Sequence, residues 1–165
     1  MVNFYKKILI AVDGSQLSKE VFRKGVELAK IFNVDVTLIG VVDTTNIVSF
    51  SSGIDESDVL MTEEELELLK GNEKMLKNFM DDLMSFEKGL RLIEEIRYGV
   101  PHREITAYAE EWKADLLVLG SHGKDGGLSA FLFGSTAKKL LKVAPCDVLV
   151  VKTNRVQDEG DGGKK

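Results

Sequence analysis

Ile8 to Val12 is a short unbroken apolar run closed by Asp13-Gly14-Ser15, the pattern of a strand buried on both faces. Ser15 then stands where a helix N-cap belongs, and Val21, Phe22, Gly25, Leu28, Ala29 and Phe32 recur at helical spacing until Asn33 closes the run. Val34 to Val42 reads as a second buried strand, ended by Asp43. Strand, helix and strand in this short compass make a βαβ unit, whose crossover should be right-handed.

Thr44 to Leu60 breaks the pattern, being rich in Ser and Asp with scattered Ile47, Val48, Phe50 and Ile54. A connection of that length is either a functional lid or partner surface, or a disordered link. Thr62-Glu63-Glu64-Glu65 is a capping box opening a long helix, with Leu66, Leu69, Leu76, Phe79, Met80, Leu83 and Phe86 as its inner stripe and Gly71 weakening its middle. Leu90 to Tyr98 is a third strand. A helix follows from Gly99-Val100-Pro101, its inner face made by Ile105, Tyr108, Ala109 and Trp112. Ala114 to Leu119 is the fourth strand, Gly134 to Val143 a fourth helix stopped by Pro145, and Asp147 to Lys152 the fifth strand. This alternation predicts an α/β fold, a doubly wound five-stranded parallel sheet with helices on both faces and strand order 3-2-1-4-5. In such sheets ligands bind outside the carboxyl ends of the strands, where the order reverses. Asp13, Val41 to Asp43, Gly99 and the segment after Leu119 should therefore share one rim.

A length of 165 residues suits one domain, taken as residues 1–153, with a polar glycine-rich tail over 154–165. Lys+Arg 22 against Asp+Glu 27 gives a net charge of -5, which argues against a general nucleic-acid binder. The single cysteine, Cys146, excludes an internal disulfide framework and a cysteine-rich metal site. The apolar run after Lys6-Lys7 is too short for a signal-peptide core, and no window approaches the ~18 apolar residues of a membrane span. The expectation is a cytoplasmic protein with no membrane partner.

The segment after the fourth strand carries the chemistry: Gly120-Ser121-His122-Gly123-Lys124-Asp125-Gly126-Gly127, then Gly134-Ser135-Thr136 at a helix start. Glycines let a backbone approach a ligand closely, and a helix N-terminus offers N–H groups and a positive dipole end to phosphate. Together they read as a phosphate cradle, set against the alternative of a flexible loop before an ordinary helix. No Gly-Lys-Ser/Thr of a Walker A loop occurs, and a Rossmann fingerprint would belong on the first strand.

These residues resemble the universal stress protein family. The Gly-Ser-His-Gly after a buried strand, the later Gly-Ser before a helix, the final Pro-Cys-Asp-Val-Leu-Val-Val and the opening Ile-Leu-Ile-Ala-Val-Asp-Gly-Ser all look like it, over residues 1 to 153. The ATP-binding branch carries Gly-x2-Gly-x9-Gly-[Ser/Thr]. Here Gly120-x2-Gly123-x10-Gly134-Ser135 is one residue longer, and Gly126-Gly127 would absorb the extra residue as a bulge. The resemblance implies an adenine nucleotide, ATP or AMP, with Mg2+ as an associated cation. It places Asp13 near ribose and phosphate, with the metal held there through water; a turn-forming role before Gly14 is the alternative. The backbone of Val41 would pair with adenine, Val12 and Leu119 would wall the base, and Gly120, Gly123, Gly134, Ser135 and Thr136 would hold ribose and phosphate.

His122 reads as a solvent-facing loop histidine rather than a proton relay, Cys146 as a small packing residue, and Lys124 as a solvated lysine. No nucleophile–base pair, arginine finger or two-carboxylate metal site appears in the loop, so the expected protein is at most a slow ATPase. The leading expectation is a stress-response regulatory protein acting as a nucleotide-dependent switch toward an unknown protein partner. The family also implies a homodimer through the last strand. The alternative is a dimeric interaction module of the same fold that binds no nucleotide. A phospho-receiver would need an acidic pair after the first strand and an aspartate after the third, where Asp13 stands alone and Gly99 carries no acid. An adenylating enzyme of the pyrophosphatase type would want Ser-Gly-Gly after the first strand, which Asp13-Gly14-Ser15 does not supply.

Overall fold

The computed structural model of the chain describes residues 4–48, 61–122 and 133–152. Its elements run β1 (Lys7–Val12), α1 (Gln16–Phe32), β2 (Asp35–Asp43), α2 (Thr45–Val48), α3 (Glu63–Ser85), β3 (Leu92–Gly99), α4 (Pro101–Trp112), β4 (Leu116–Gly120), α5 (Ser135–Val143) and β5 (Asp147–Val151). All strand pairs are parallel, and the order is β3-β2-β1-β4-β5, as the alternation predicts.

The sheet buries both faces because successive side chains of a strand point to opposite sides. Ile8, Ile10 and Val12 pack with Val21, Phe22 and Val26 of α1 and Leu69, Leu76 and Met80 of α3. Leu9 and Ile39 pack with Ile105, Tyr108 and Ala109 of α4 and Ala137 and Leu140 of α5. Two glycines let helices sit close. A Cβ at Gly25 would strike the Ile10 side chain, and one at Gly40 would lie 2.8 Å from Leu76 Cδ2 and Met80 Sδ.

The helix boundaries follow their caps. Ser15 accepts from the Ser18 N–H at the start of α1, and Asn33 ends it in the left-handed conformation at φ 53°. Thr62 and Glu65 form the reciprocal capping box of α3. Pro101 occupies the first turn of α4, and Lys113 ends it at φ 57°, a left-handed position with no glycine to mark it in sequence.

Three expectations change. The irregular connection after β2 contains a short helix, α2, held by Asp43, whose Oδ1 accepts from the backbone and hydroxyl of Thr45. The inner stripe of α3 is narrower than its apolar residues: Leu69, Leu76 and Met80 are buried, whereas Leu66 and Phe86 are 44% and 86% exposed. The cause is that α3 lies over β2 and the edge strand β3, so little sheet reaches its outer flank. The third strand starts at Leu92 rather than Leu90 and the fourth at Leu116 rather than Ala114, whose N–H is used by the Ala109 carbonyl closing α4. The tail after Thr153 and most of the connection before Met61 lie outside the described residues.

Candidate functional site

At the carboxyl end of β1 the chain turns through Asp13, Gly14 and Ser15, with Gly14 at φ 83°. Asp13 Oδ1 accepts from the Ser15 N–H at 3.0 Å and from the Ser18 hydroxyl at 2.8 Å, and Ser18 Oγ in turn accepts from the Asp13 N–H at 3.0 Å. This is an Asx turn built into the start of α1, so the turn-forming role of Asp13 is present whatever else it does. Ser18 is buried, which fixes the carboxylate's position on the rim.

On the other side of β1, β4 ends at Gly120, followed by buried Ser121 and half-buried His122. A Cβ at Gly120 would come within 2.9 Å of Leu17 on α1, so this glycine brings β4 and α1 together. Ser121 ties the region down: its N–H donates to the Val151 carbonyl, its carbonyl accepts from the Gly134 N–H, and its hydroxyl lies 2.6 Å from His122 Nδ1. Gly134 is the N-cap of α5 and supplies no side-chain cap. Its φ of -58° is open to any residue, so what glycine contributes here is space rather than backbone freedom. The first-turn N–H groups of α5 thus emerge with no capping side chain above them.

Between these two loops lies a cavity of about 710 Å³. That volume falls in the ~300–1,000 Å³ range of small-molecule sites. Its apolar wall includes Val12, Val41, Leu119 and Ile105; Asp13, Ser15 and Ser18 border it from β1 and α1; Gly120, His122, Gly134, Ser135 and Thr136 border it from β4 and α5. Every sequence-expected residue that is described, namely Val12, Asp13, Val41, Leu119, Gly120, Gly134, Ser135 and Thr136, meets at this one cavity. Gly123 and Lys124 lie outside the described residues.

The cavity also has a polar side, of which the sequence announces only Asp43, expected on the rim with Val41. Asp43, Asn46 on α2 and Asn72 on α3 border it beyond Val41. The available signal was slight: Asn72 stands one turn before the buried Leu76, a polar residue on the flank of an apolar stripe. Phe133, just before the α5 cap, and Pro101 complete the lining named here.

Charge near the site is modest. Burial lowers the His102 pKa from its ordinary value, with the positive charges of Lys139 and Arg103 adding to the effect. Cys146 is half-buried below β5, and burial pushes its thiol up, helped by Asp147 and Asp115, as suits a packing residue rather than a reactive one. Among the described residues no three His, Cys, Asp or Glu side chains gather to hold a metal ion, and no helix is long and apolar enough to cross a membrane.

The family model for the universal stress protein family matches residues 4–152. A universal stress protein of Methanocaldococcus jannaschii is 40% identical over 152 residues, 91% of this chain and 84% of that one. Among solved structures, universal stress protein UspA from Lactobacillus plantarum superposes with a TM-score of 0.72 at 27% identity, covering 89% of this chain and 97% of that chain. A family protein from Arabidopsis thaliana with AMP bound shares the fold at a TM-score of 0.59 and 18% identity, covering 94% and 97%. The chain belongs to the universal stress protein family.

Proposed function

We propose that the protein binds an adenine nucleotide, ATP or AMP, in the rim cavity and acts as a nucleotide-dependent switch in a stress response. The observation that carries this reading is the cavity's construction: an apolar slot between Val41, Val12 and Leu119 runs from a carboxylate, Asp13, to the open first turn of α5 at Gly134, Ser135 and Thr136. A flat base fits the apolar slot, ribose hydroxyls donate to a carboxylate, and phosphate meets helix N–H groups. The AMP bound to the Arabidopsis protein of the same fold is in keeping with it.

Among the described residues the lining holds no Lys or Arg to take up charge on a transferring phosphoryl group, so hydrolysis would be slow or absent. Mg2+ would be held chiefly by the nucleotide's own phosphate oxygens, with Asp13 reaching it through water; among the described residues no ligand set of three His, Cys, Asp or Glu gathers. Mass spectrometry of ligand released from the purified protein, followed by calorimetry with ATP and AMP, tests the reading. Nucleotide bound at micromolar affinity or better is the expected result; no binding of either would leave an interaction module.

Assembly as a homodimer through β5 is part of the same proposal. β5 is an edge of the sheet, and the Ser121 N–H donates to the Val151 carbonyl, so the polar groups of Val151 face β4 and those of Val150 face outward. An open apolar edge of this kind favours pairing with its two-fold mate. Val150→Pro removes an outward N–H while sparing the β4 ladder, and light scattering should change from dimer to monomer. A parent protein that is already monomeric would overturn the pairing.

A further inference from the structure

We infer that Asn72, together with Asn46, reads the hydrogen-bonding edge of the base and so sets the ligand's specificity; this rests on the nucleotide reading above and deepens it. The argument starts from the distribution of charge around the cavity. Both lining carboxylates, Asp13 and Asp43, lie at the ends of β1 and β2, while the open α5 N-terminus lies beyond β4. β2 and β4 flank β1, so these two ends stand two strand spacings apart, about 10 Å. An anionic phosphate is drawn to the second end, where the N–H groups and positive dipole end of α5 meet it. The uncharged part of the ligand must then occupy the β2 end.

What lines that end is specific. Asn46 comes from α2 and Asn72 from α3, two elements that sequence separates by the whole 49–60 connection, yet both residues line the cavity that Val41 lines. A side-chain amide is neutral and offers two donors and an acceptor, the pattern that matches a ring edge alternating N–H and lone pairs. Asp43 is tied through Oδ1 to Thr45, and a carboxylate only accepts, so it can meet the donors of a ring edge but none of its lone pairs. Asn72 also has a local neighbour that fixes its place: Leu76, one turn later on the same helix face, is 5% exposed and lines the cavity too. The helix therefore delivers the amide to the cavity from a buried anchor. An amide that meets the wrong ring edge loses its hydrogen bonds to the ligand, which lowers the affinity for a mismatched base.

Calorimetry with the full chain against ATP, GTP, CTP and AMP separates the outcomes. The parent should prefer one base, and Asn72→Ala should reduce that preference by about tenfold, the size of one lost hydrogen bond. The ratio of ATP to AMP affinity should stay fixed, because the phosphate end is untouched. Asn46→Ala should act in the same direction. Both residues are exposed and Ala favours helix, so the variants should fold, as circular dichroism would verify. An Asn72→Ala protein with the parent's base preference overturns the inference while leaving nucleotide binding in place. A parent that binds ATP, GTP and CTP equally does the same. A parent that binds none of the four nucleotides removes the nucleotide reading itself, and this inference with it.

Discussion

The two ends of the sheet are built from similar residues and put to different use. At the amino end, polar groups are closed on one another. Asp115 Oδ2 accepts from the backbone N–H groups of Lys6 and Lys7 at 2.8 and 2.9 Å, and the Asp115 N–H returns to the Lys7 carbonyl at 2.9 Å. Lys7 Nζ donates to the Trp112 carbonyl at 2.9 Å and sits 5.3 Å from the Trp112 ring centroid, and Tyr5 donates to Asp147. At the carboxyl end an aspartate again anchors the turn, but α5 begins on a glycine with no capping side chain, and a cavity stands where side chains would otherwise meet. One end spends its hydrogen bonds on holding β1 to β4. The other leaves donors facing a space that a ligand can fill.

On that division, substitutions at the carboxyl rim change binding with little effect on stability, and substitutions at the amino end do the reverse. The largest effect is expected from Gly134→Val. Valine adopts the Gly134 backbone conformation without strain, so the fold should persist, but its side chain occupies the space in front of the α5 N–H groups. Nucleotide affinity should fall ~100-fold or more, as losing a whole set of phosphate contacts does, with an unchanged circular dichroism spectrum. Unchanged affinity would return Gly134 to an ordinary helix start.

Asp115→Ala probes the opposite end. Two backbone N–H groups lose their acceptor, which should cost about 1–3 kcal/mol of stability in a urea titration. Nucleotide affinity measured well below the unfolding midpoint should equal the parent's. A loss of affinity in this variant would show that the two ends are coupled through β1 and β4, and the division would fail.

The fold was legible because most strands are apolar runs between turn residues, β3 with Glu94, Glu95 and Arg97 being the exception, and three helices carry a start signal in Ser15, Thr62 and Pro101. Boundaries were less so. Ala114 is apolar like the strand after it, yet its N–H closes α4, and nothing local distinguishes the two uses. The exposed Leu66 and Phe86 look like core in the one-dimensional pattern; only the position of α3 near the sheet edge leaves them outside. In the cavity, the residues on strand ends and helix caps could be read from sequence because topology brings them to one rim. Asn46 and Asn72 could not, because their approach to Val41 depends on how α2 and α3 come back over β2.

Asp13 lies across the division, which makes it the finest test. Its Oδ1 serves the fold by accepting from Ser15 and Ser18, and its charge faces the cavity. The two roles separate by substitution. Asparagine keeps an oxygen in the same place, so Asp13→Asn should hold the turn and leave the melting temperature near the parent's. It removes the negative charge, so ribose hydroxyls lose a charge-assisted acceptor and affinity should fall by ~1–2 kcal/mol, about tenfold. Alanine removes the turn bonds as well, so Asp13→Ala should lose a similar amount of binding and in addition ~1 kcal/mol of stability, the usual loss for a side chain that caps a turn into a helix. A melting temperature that drops in the alanine variant alone, with affinity falling in both, is the outcome that assigns the oxygen to the fold and the charge to the ligand. If both variants bind as the parent does, Asp13 belongs wholly to the turn, and recognition of the sugar must come from elsewhere on the rim.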